Sequence, residues 1–222
     1  FLLSGCTSIK KTIHANIRAD KLQNSFHGLV IIDANTQKEI YNQNGNKYFT
    51  PASNTKIVTF YTSLKLLPKN IPTLNYKVAN DTIFIEGTGD PSWLHPYFKD
   101  STAINWLKNQ ETIALYTQNH DERRYGPGWA WEDYDTYFSP EKSTLPLYGN
   151  VVTMSNIEGL KVSPEILQNQ TKEKDTTIQR VEFHNQFYIA PTEQDTLEVP
   201  YVTSDSLTKQ LLEIATGKEV LL

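Results

Sequence analysis

A serine followed three residues later by a lysine sets a hydroxyl beside an amine that can take its proton. Ser53 and Lys56, within Pro51-Ala52-Ser53-Asn54-Thr55-Lys56, have that spacing. On a helix, residues three apart sit on neighbouring turns with β-carbons roughly 5–6 Å apart. A serine hydroxyl is a weak nucleophile until a base removes its proton, and a lysine is a base only where desolvation or another cation disfavours its ammonium. The chemistry such a pair serves is acyl transfer, with Ser53 as nucleophile and Lys56 as proton acceptor. The pair alone is a common arrangement whose plain alternative is a solvated helix start, so the flanking elements must decide.

From Ser53 onward Ile57, Phe60, Leu64 and Leu67 recur at steps of three and four, which predicts a helix with one buried face. Pro51 is tolerated only in a first turn, so the helix is expected to start between Pro51 and Ser53. Ser53 would then lie where free N–H groups and the positive dipole end favour developing negative charge. Upstream, Ile9, Ile13 and Ile17 predict an amphipathic helix within residues 7–24. Gly28 to Asp33 and Glu39 to Asn42, around Asn35-Thr36-Gln37-Lys38, predict a hairpin.

Downstream, Leu74 to Val78 and Thr82 to Glu86 flank an Asn80-Asp81 turn and predict a second hairpin. It runs into Gly87-Thr88-Gly89-Asp90-Pro91, whose two glycines lack the third glycine and the following helix of a dinucleotide loop. Asp100 and Ser101 can cap a short helix carrying Ile104, Trp106 and Leu107, and Thr112 to Tyr116 returns to strand. A loop dense in aromatics and carboxylates follows, from Tyr125 to Pro140. Strand-like runs then include Gln179 to His184 and Phe187 to Ala190. A last helix, capped by Ser204 or Asp205 and closed by Gly217, is expected to turn Leu207, Leu211, Leu212 and Ile214 inward.

The 222 residues carry a net charge of −4 and no Lys/Arg run, which argues against a nucleic-acid partner. His14, His27, His95, His120 and His184 show no metal-ligand spacing, so neither a metal nor another cofactor is expected. Cys6, the sole cysteine, follows Leu3-Ser4-Gly5 at the end of an apolar stretch. Leu3-Ser4-Gly5-Cys6 resembles a bacterial lipobox, which implies cleavage before Cys6, lipidation of its thiol and a membrane anchor. The alternative is a lone thiol near a chain terminus. With the lipobox reading, the protein is expected on the periplasmic side of a bacterial envelope, held to the membrane by lipid.

Three motifs in order support a family: Pro51-Ala52-Ser53-Asn54-Thr55-Lys56 after a hairpin, Gly87-Thr88-Gly89-Asp90-Pro91, and Gly128-Trp129-Ala130-Trp131-Glu132-Asp133. Together they resemble the penicillin-binding D-alanyl-D-alanine carboxypeptidase/endopeptidase family, the low-molecular-mass class C or S13-like penicillin-binding proteins. The resemblance implies an α/β (α+β type) serine β-lactamase/transpeptidase-like catalytic domain, incomplete here, with a β-rich inserted region. It divides the chain into a signal remnant and lipobox (1–6), the N-terminal half of the catalytic domain (7–69), the insertion (70–202) and a helix returning toward the catalytic domain (203–222). It implies an acyl-enzyme on Ser53 with Lys56 as base, formed from peptidoglycan stem peptides or β-lactams. Asp133 and Phe138 match insertion positions that help bind the stem-peptide side chain; the alternative for Asp133 is a loop carboxylate capping local backbone.

The family also uses a Ser-x-Asn and a Lys-Thr-Gly motif, and neither triplet occurs in the sequence. Tyr148-Gly149-Asn150 imitates the Tyr-x-Asn of class C β-lactamases but lies in the expected insertion. The 222 residues are therefore expected to be the N-terminal part of a longer protein and inactive by themselves. Two further readings stay open: a lipid-anchored peptidoglycan-binding or penicillin-sensing protein without turnover, and a β-lactamase.

Overall fold

The computed structural model describes residues 9–17, 22, 24–119 and 123–222. Cys6 lies outside them. The chain divides into two compact units, Phe1–Leu67 and Pro68–Leu222.

The first unit holds α1 (Ile9–Ile17), the strands β1 (Leu29–Ile32) and β2 (Glu39–Gln43), and α2 (Thr55–Leu66). Strands β1 and β2 form a two-stranded antiparallel sheet with a register shift between Ile31 and Ile32. Asp33 shapes the connection. Its Oδ1 accepts the N–H groups of Asn35 (3.0 Å) and Thr36 (2.7 Å). The Thr36 bonds foremost, with the Asn35 N–H adding to them, hold its carboxyl below the usual carboxylate range.

Helix α2 forms where the three-and-four spacing places it, but its apolar stripe is not buried. Ile57, Phe60 and Leu64 are each about two-thirds exposed, Leu67 is 50% exposed, and no residue of α2 is buried. Periodicity specifies which side chains share a face, whereas burial needs an opposing surface. Among the described residues of this unit there is none.

In the second unit the main sheet has the order β11 (Val220–Leu221), β5 (Thr112–Tyr116), β4 (Thr82–Gly87), β3 (Leu74–Ala79). Strands β3 (Leu74–Ala79) and β4 (Thr82–Gly87) make the hairpin. Its two turn residues, Asn80 (φ 48°) and Asp81 (φ 62°), take the left-handed conformations of a tight turn, which Asn and Asp tolerate best. Strand β5 (Thr112–Tyr116) pairs parallel to β4, a connection that needs a crossover, and α3 (Thr102–Lys108) supplies it. A second, antiparallel sheet has the order β10-β6-β7, from β6 (Val151–Ser155), β7 (Lys161–Ser163) and β10 (Leu197–Pro200). Strands β8 (Thr171–Glu173) and β9 (Phe187–Ile189) pair parallel.

One core joins these layers. Ile83 and Ile85 point inward from alternate positions of β4, Ile113 and Leu115 from β5, and Val152 and Met154 from β6. Helix α3 adds Ile104 and Leu107, and α4 (Asp205–Thr216) adds Leu207, Leu211 and Leu212.

The segment 203–222 closes the second unit: Ser204 Oγ caps α4 by accepting Leu207 N–H at 3.1 Å, and Gly217 ends it at φ 68°. The chain then enters β11 (Val220–Leu221), parallel to β5, with Val220 fully buried. Ile214 is 62% exposed rather than inward, because the buried stripe of α4 runs through Leu207, Leu211, Leu212 and Thr216. The run Gln179 to His184 also departs from a strand. Only Arg180 makes a bridge, to Phe187, and the chain turns at Phe183 with φ 59°.

Gly87 is there for space. A β-carbon on it would sit 2.1 Å from the Thr144 carbonyl oxygen, and Gly89, at φ 82°, donates its N–H to that same oxygen at 2.6 Å. Because the obstacle is backbone, Gly87→Ala is expected to cost about 1–3 kcal/mol of the stability of this unit, read as a lower denaturation midpoint in urea at unchanged slope.

Candidate active site

The turn that carries Ser53 is built from its neighbours. Asn54 Oδ1 accepts Ala52 N–H at 2.9 Å, and the Ala52 carbonyl accepts both the N–H (3.1 Å) and the hydroxyl (2.9 Å) of Thr55. Lys56 N–H reaches the Ser53 carbonyl (3.0 Å) and Ile57 N–H the Asn54 carbonyl (3.1 Å). These are three-residue bonds of the 3-10 kind. Ser53 therefore sits just ahead of the Asn54 N-cap rather than inside the first turn of α2. In such a turn side chains three apart eclipse, and Lys56 Nζ lies 3.1 Å from Ser53 Oγ. The approach to this turn is fixed by Phe49, whose ring stacks on Phe26 at 5.0 Å, and by Asn44, whose side-chain amide donates to the His27 carbonyl at 2.9 Å.

The Ser53 backbone N–H makes no hydrogen bond with any described residue. It is free to meet an oxyanion formed on an acyl group attached to its own side chain. Both Ser53 and Lys56 are exposed, so the described residues do not supply the desolvation a lysine base requires. Asn54 and Thr55 are the positioning residues that spacing alone did not single out.

Asp133 and Phe138 belong to the second unit. Asp133 lies in a 3-10 turn (Trp131–Asp135), and its carbonyl accepts Thr136 N–H (3.0 Å) and Thr136 Oγ1 (2.7 Å). Its half-buried carboxylate meets no donor among the described residues. The carboxylate that does anchor this loop is Asp135, whose Oδ2 accepts Gln179 N–H at 2.8 Å. Phe138, 58% exposed, packs edge-on against Tyr137 and lines a pocket of about 590 Å³. Glu198 lines it too and accepts the Tyr97 hydroxyl at 2.5 Å; that bond first, then the carboxylate's charge, raises the Tyr97 hydroxyl above its usual range. Asp133 does not line this pocket, so the two residues are not brought into one cavity.

Tyr148-Gly149-Asn150 has a structural role. Asn150, 2% exposed, donates its side-chain amide to the Glu141 carbonyl and to Ser143 Oγ, both at 2.8 Å. A residue committed to those partners is not placed to meet a substrate. Glu141 and Arg180 are the buried charged residues that the sequence did not flag, since nothing in their neighbours distinguishes them from solvated side chains.

Among the described residues no group of three or more His, Cys, Asp or Glu is placed to hold a metal ion, and no helix is long and apolar enough to cross a membrane.

A sequence model of the D-Ala-D-Ala carboxypeptidase 3 (S13) family matches residues 9–203. The chain belongs to that family. Among its relatives, the D-alanyl-D-alanine carboxypeptidase of Actinomadura sp. (strain R39) is 26% identical over 153 residues, covering 63% of this chain and 28% of the relative. Among solved structures, penicillin binding protein 4 of Haemophilus influenzae aligns with a TM-score of 0.56 at 16% identity, over 88% of this chain and 52% of that one. The S13 chain thus has the α/β architecture of a penicillin-binding protein and spans between about a quarter and a half of the length of these relatives.

Proposed function

We propose that this S13 chain carries the nucleophile and base of a serine-type D-alanyl-D-alanine carboxypeptidase/endopeptidase acting on peptidoglycan stem peptides. The observation that carries the reading is the 3.1 Å approach of Lys56 Nζ to Ser53 Oγ. Ser53 Oγ attacks the carbonyl of the D-Ala-D-Ala bond while Lys56 takes its proton, and the resulting oxyanion is met by Ser53 N–H. The proton passes to the departing amine, D-alanine leaves, and water hydrolyses the ester on Ser53. A β-lactam acylates the same oxygen, but its opened ring keeps the leaving nitrogen tethered. Asp133, whose carboxylate meets no donor among the described residues, suits the ammonium of a stem-peptide side chain, and Phe138 suits its methylenes.

One observation favours a second reading. The pair is exposed, as a peptidoglycan-binding or penicillin-sensing protein without turnover would allow. A β-lactamase differs from both in rapid deacylation.

Cys6 is proposed as the lipidated residue that holds the protein to the periplasmic side of the envelope, on the strength of Leu3-Ser4-Gly5-Cys6. Intact mass of the protein from membranes is expected to begin at a lipid-bearing Cys6; an unmodified thiol with residues 1–5 attached contradicts it.

The protein purified from its own cells and treated with benzylpenicillin is expected to carry the adduct on the peptide containing Ser53, with Ser53→Ala abolishing it. Label persisting in the alanine variant overturns the assignment. Release of D-alanine from a D-Ala-D-Ala peptide separates turnover from binding.

A further inference from the structure

Two carboxylates, Asp90 and Asp100, line one cavity of about 590 Å³ in the second unit, and no lysine, arginine or histidine stands in its wall. Neither forms an ion pair with any described residue. Asp90 is half-buried, and its Oδ1 accepts Ser92 N–H at 2.9 Å. Burial pushes the Asp90 carboxyl up, but hydrogen bonds from Thr73 and Ser92 outweigh it and hold the group below its usual range, against the repulsion of Asp100. Asp100 Oδ1 accepts Thr102 N–H at 2.8 Å, and its bonds to Thr102 lower that carboxyl too. Both groups are therefore charged at neutral pH and near enough to repel each other. A carboxylate offers about four acceptor sites, more than these bonds fill on either residue.

The rest of the wall is mainly apolar and rich in rings. Strand β3 brings Tyr76, and α3, which begins just after Asp100, brings Ile104 and Trp106; Tyr76 and Trp106 meet edge to face at 4.9 Å. Trp93 completes the aromatic wall. Its Nε1 donates to Thr73 Oγ1 at 2.7 Å, and that same hydroxyl is bonded to Asp90, so ring and carboxylate are fixed by one side chain. Tyr76 and Ile71, 61% and 62% exposed, line the cavity without packing into the core. A tryptophan or tyrosine ring attracts a cation through its quadrupole, so rings and carboxylates here draw the same charge. A metal ion is a poor match: calcium and magnesium take about six or more oxygen ligands, and the described residues place only two carboxylates here, between apolar side chains.

We propose that this cavity binds a small organic cation with an aromatic or apolar body, its charge held by Asp90 and Asp100 and its body against Tyr76, Trp93 and Trp106. The site lies wholly within the second unit, includes neither Asp133 nor Phe138, and does not depend on the chemistry assigned to Ser53.

The test is titration calorimetry of the protein with benzamidine as probe and benzamide, its uncharged isostere, as control. Saturable one-site binding of benzamidine is expected, at least about tenfold tighter than benzamide, the scale of a hydrogen bond to a charged group. Asp100→Lys sets an ammonium where the ligand's charge would rest and is expected to abolish binding; Asp100 is exposed, so the change leaves the core untouched. Asp90→Asn is expected to weaken benzamidine by about tenfold or more and to leave benzamide unchanged. Should Asp90→Asn fail to fold because Thr73 and Ser92 lose the carboxylate, the benzamide and Asp100→Lys arms decide. No saturable binding, equal affinity for benzamide, or benzamidine binding unchanged in a folded Asp100→Lys or Asp90→Asn protein overturns the proposal.

Discussion

The burial of the Glu141 carboxylate constrains more of the second unit than any other single contact. A charge 4% exposed is tolerable only if its oxygens are met. Oε2 accepts the N–H (2.9 Å) and hydroxyl (2.6 Å) of Thr203, next to the Ser204 cap of α4, and Oε1 accepts Arg124 at 3.4 Å. Its carbonyl takes the Asn150 amide at the entrance to β6. Asn150 in turn accepts the Tyr201 hydroxyl at 3.1 Å, just past β10, a group that burial, with the Glu141 carboxylate nearby, keeps protonated. Through its carboxylate Glu141 therefore holds the start of α4, and through its backbone carbonyl it holds Asn150 at the entrance to β6 and, by way of Asn150, the end of β10. Three consecutive left-handed residues, Tyr148, Gly149 and Asn150, are held by the same network.

The first unit follows a different logic. No described residue in it is buried, and what is precise there is local: a turn closed by Asn54 and Thr55 on Ala52, which eclipses Ser53 and Lys56. That geometry is set by short-range hydrogen bonds and is present without a core. The activation of the lysine is another matter, because it asks for desolvation that short-range bonds cannot supply.

What the sequence made legible was the local order. The Asn80-Asp81 turn, the strand Thr112–Tyr116 and the helix carrying Leu207, Leu211 and Leu212 all declare themselves through period and turn chemistry. The exposed face of α2 was illegible because spacing encodes a stripe and not its partner. The β5-β11 pairing joins residues about a hundred positions apart, and a two-residue strand carries no period of its own. Arg180 lay in what reads as an alternating strand, and only the folded chain shows its guanidinium shut in beneath an aromatic wall. Of the candidate site, the Ser53–Lys56 approach follows from spacing. The separation of Asp133 from the pocket that Phe138 lines depends on a loop whose path no periodicity describes.

In the proposed reaction Lys56 acts by giving and taking a proton and not merely by holding Ser53 with a positive charge. Arginine separates the two roles, since a guanidinium keeps the charge and the hydrogen bond but does not give up its proton. The direct measurement is the rate of benzylpenicillin acylation of the native protein and of its Lys56→Arg variant. A proton-transferring Lys56 gives a loss of about 10²–10⁴-fold on this change, the scale of a positioned base. A Lys56→Arg protein acylated near the native rate would contradict it.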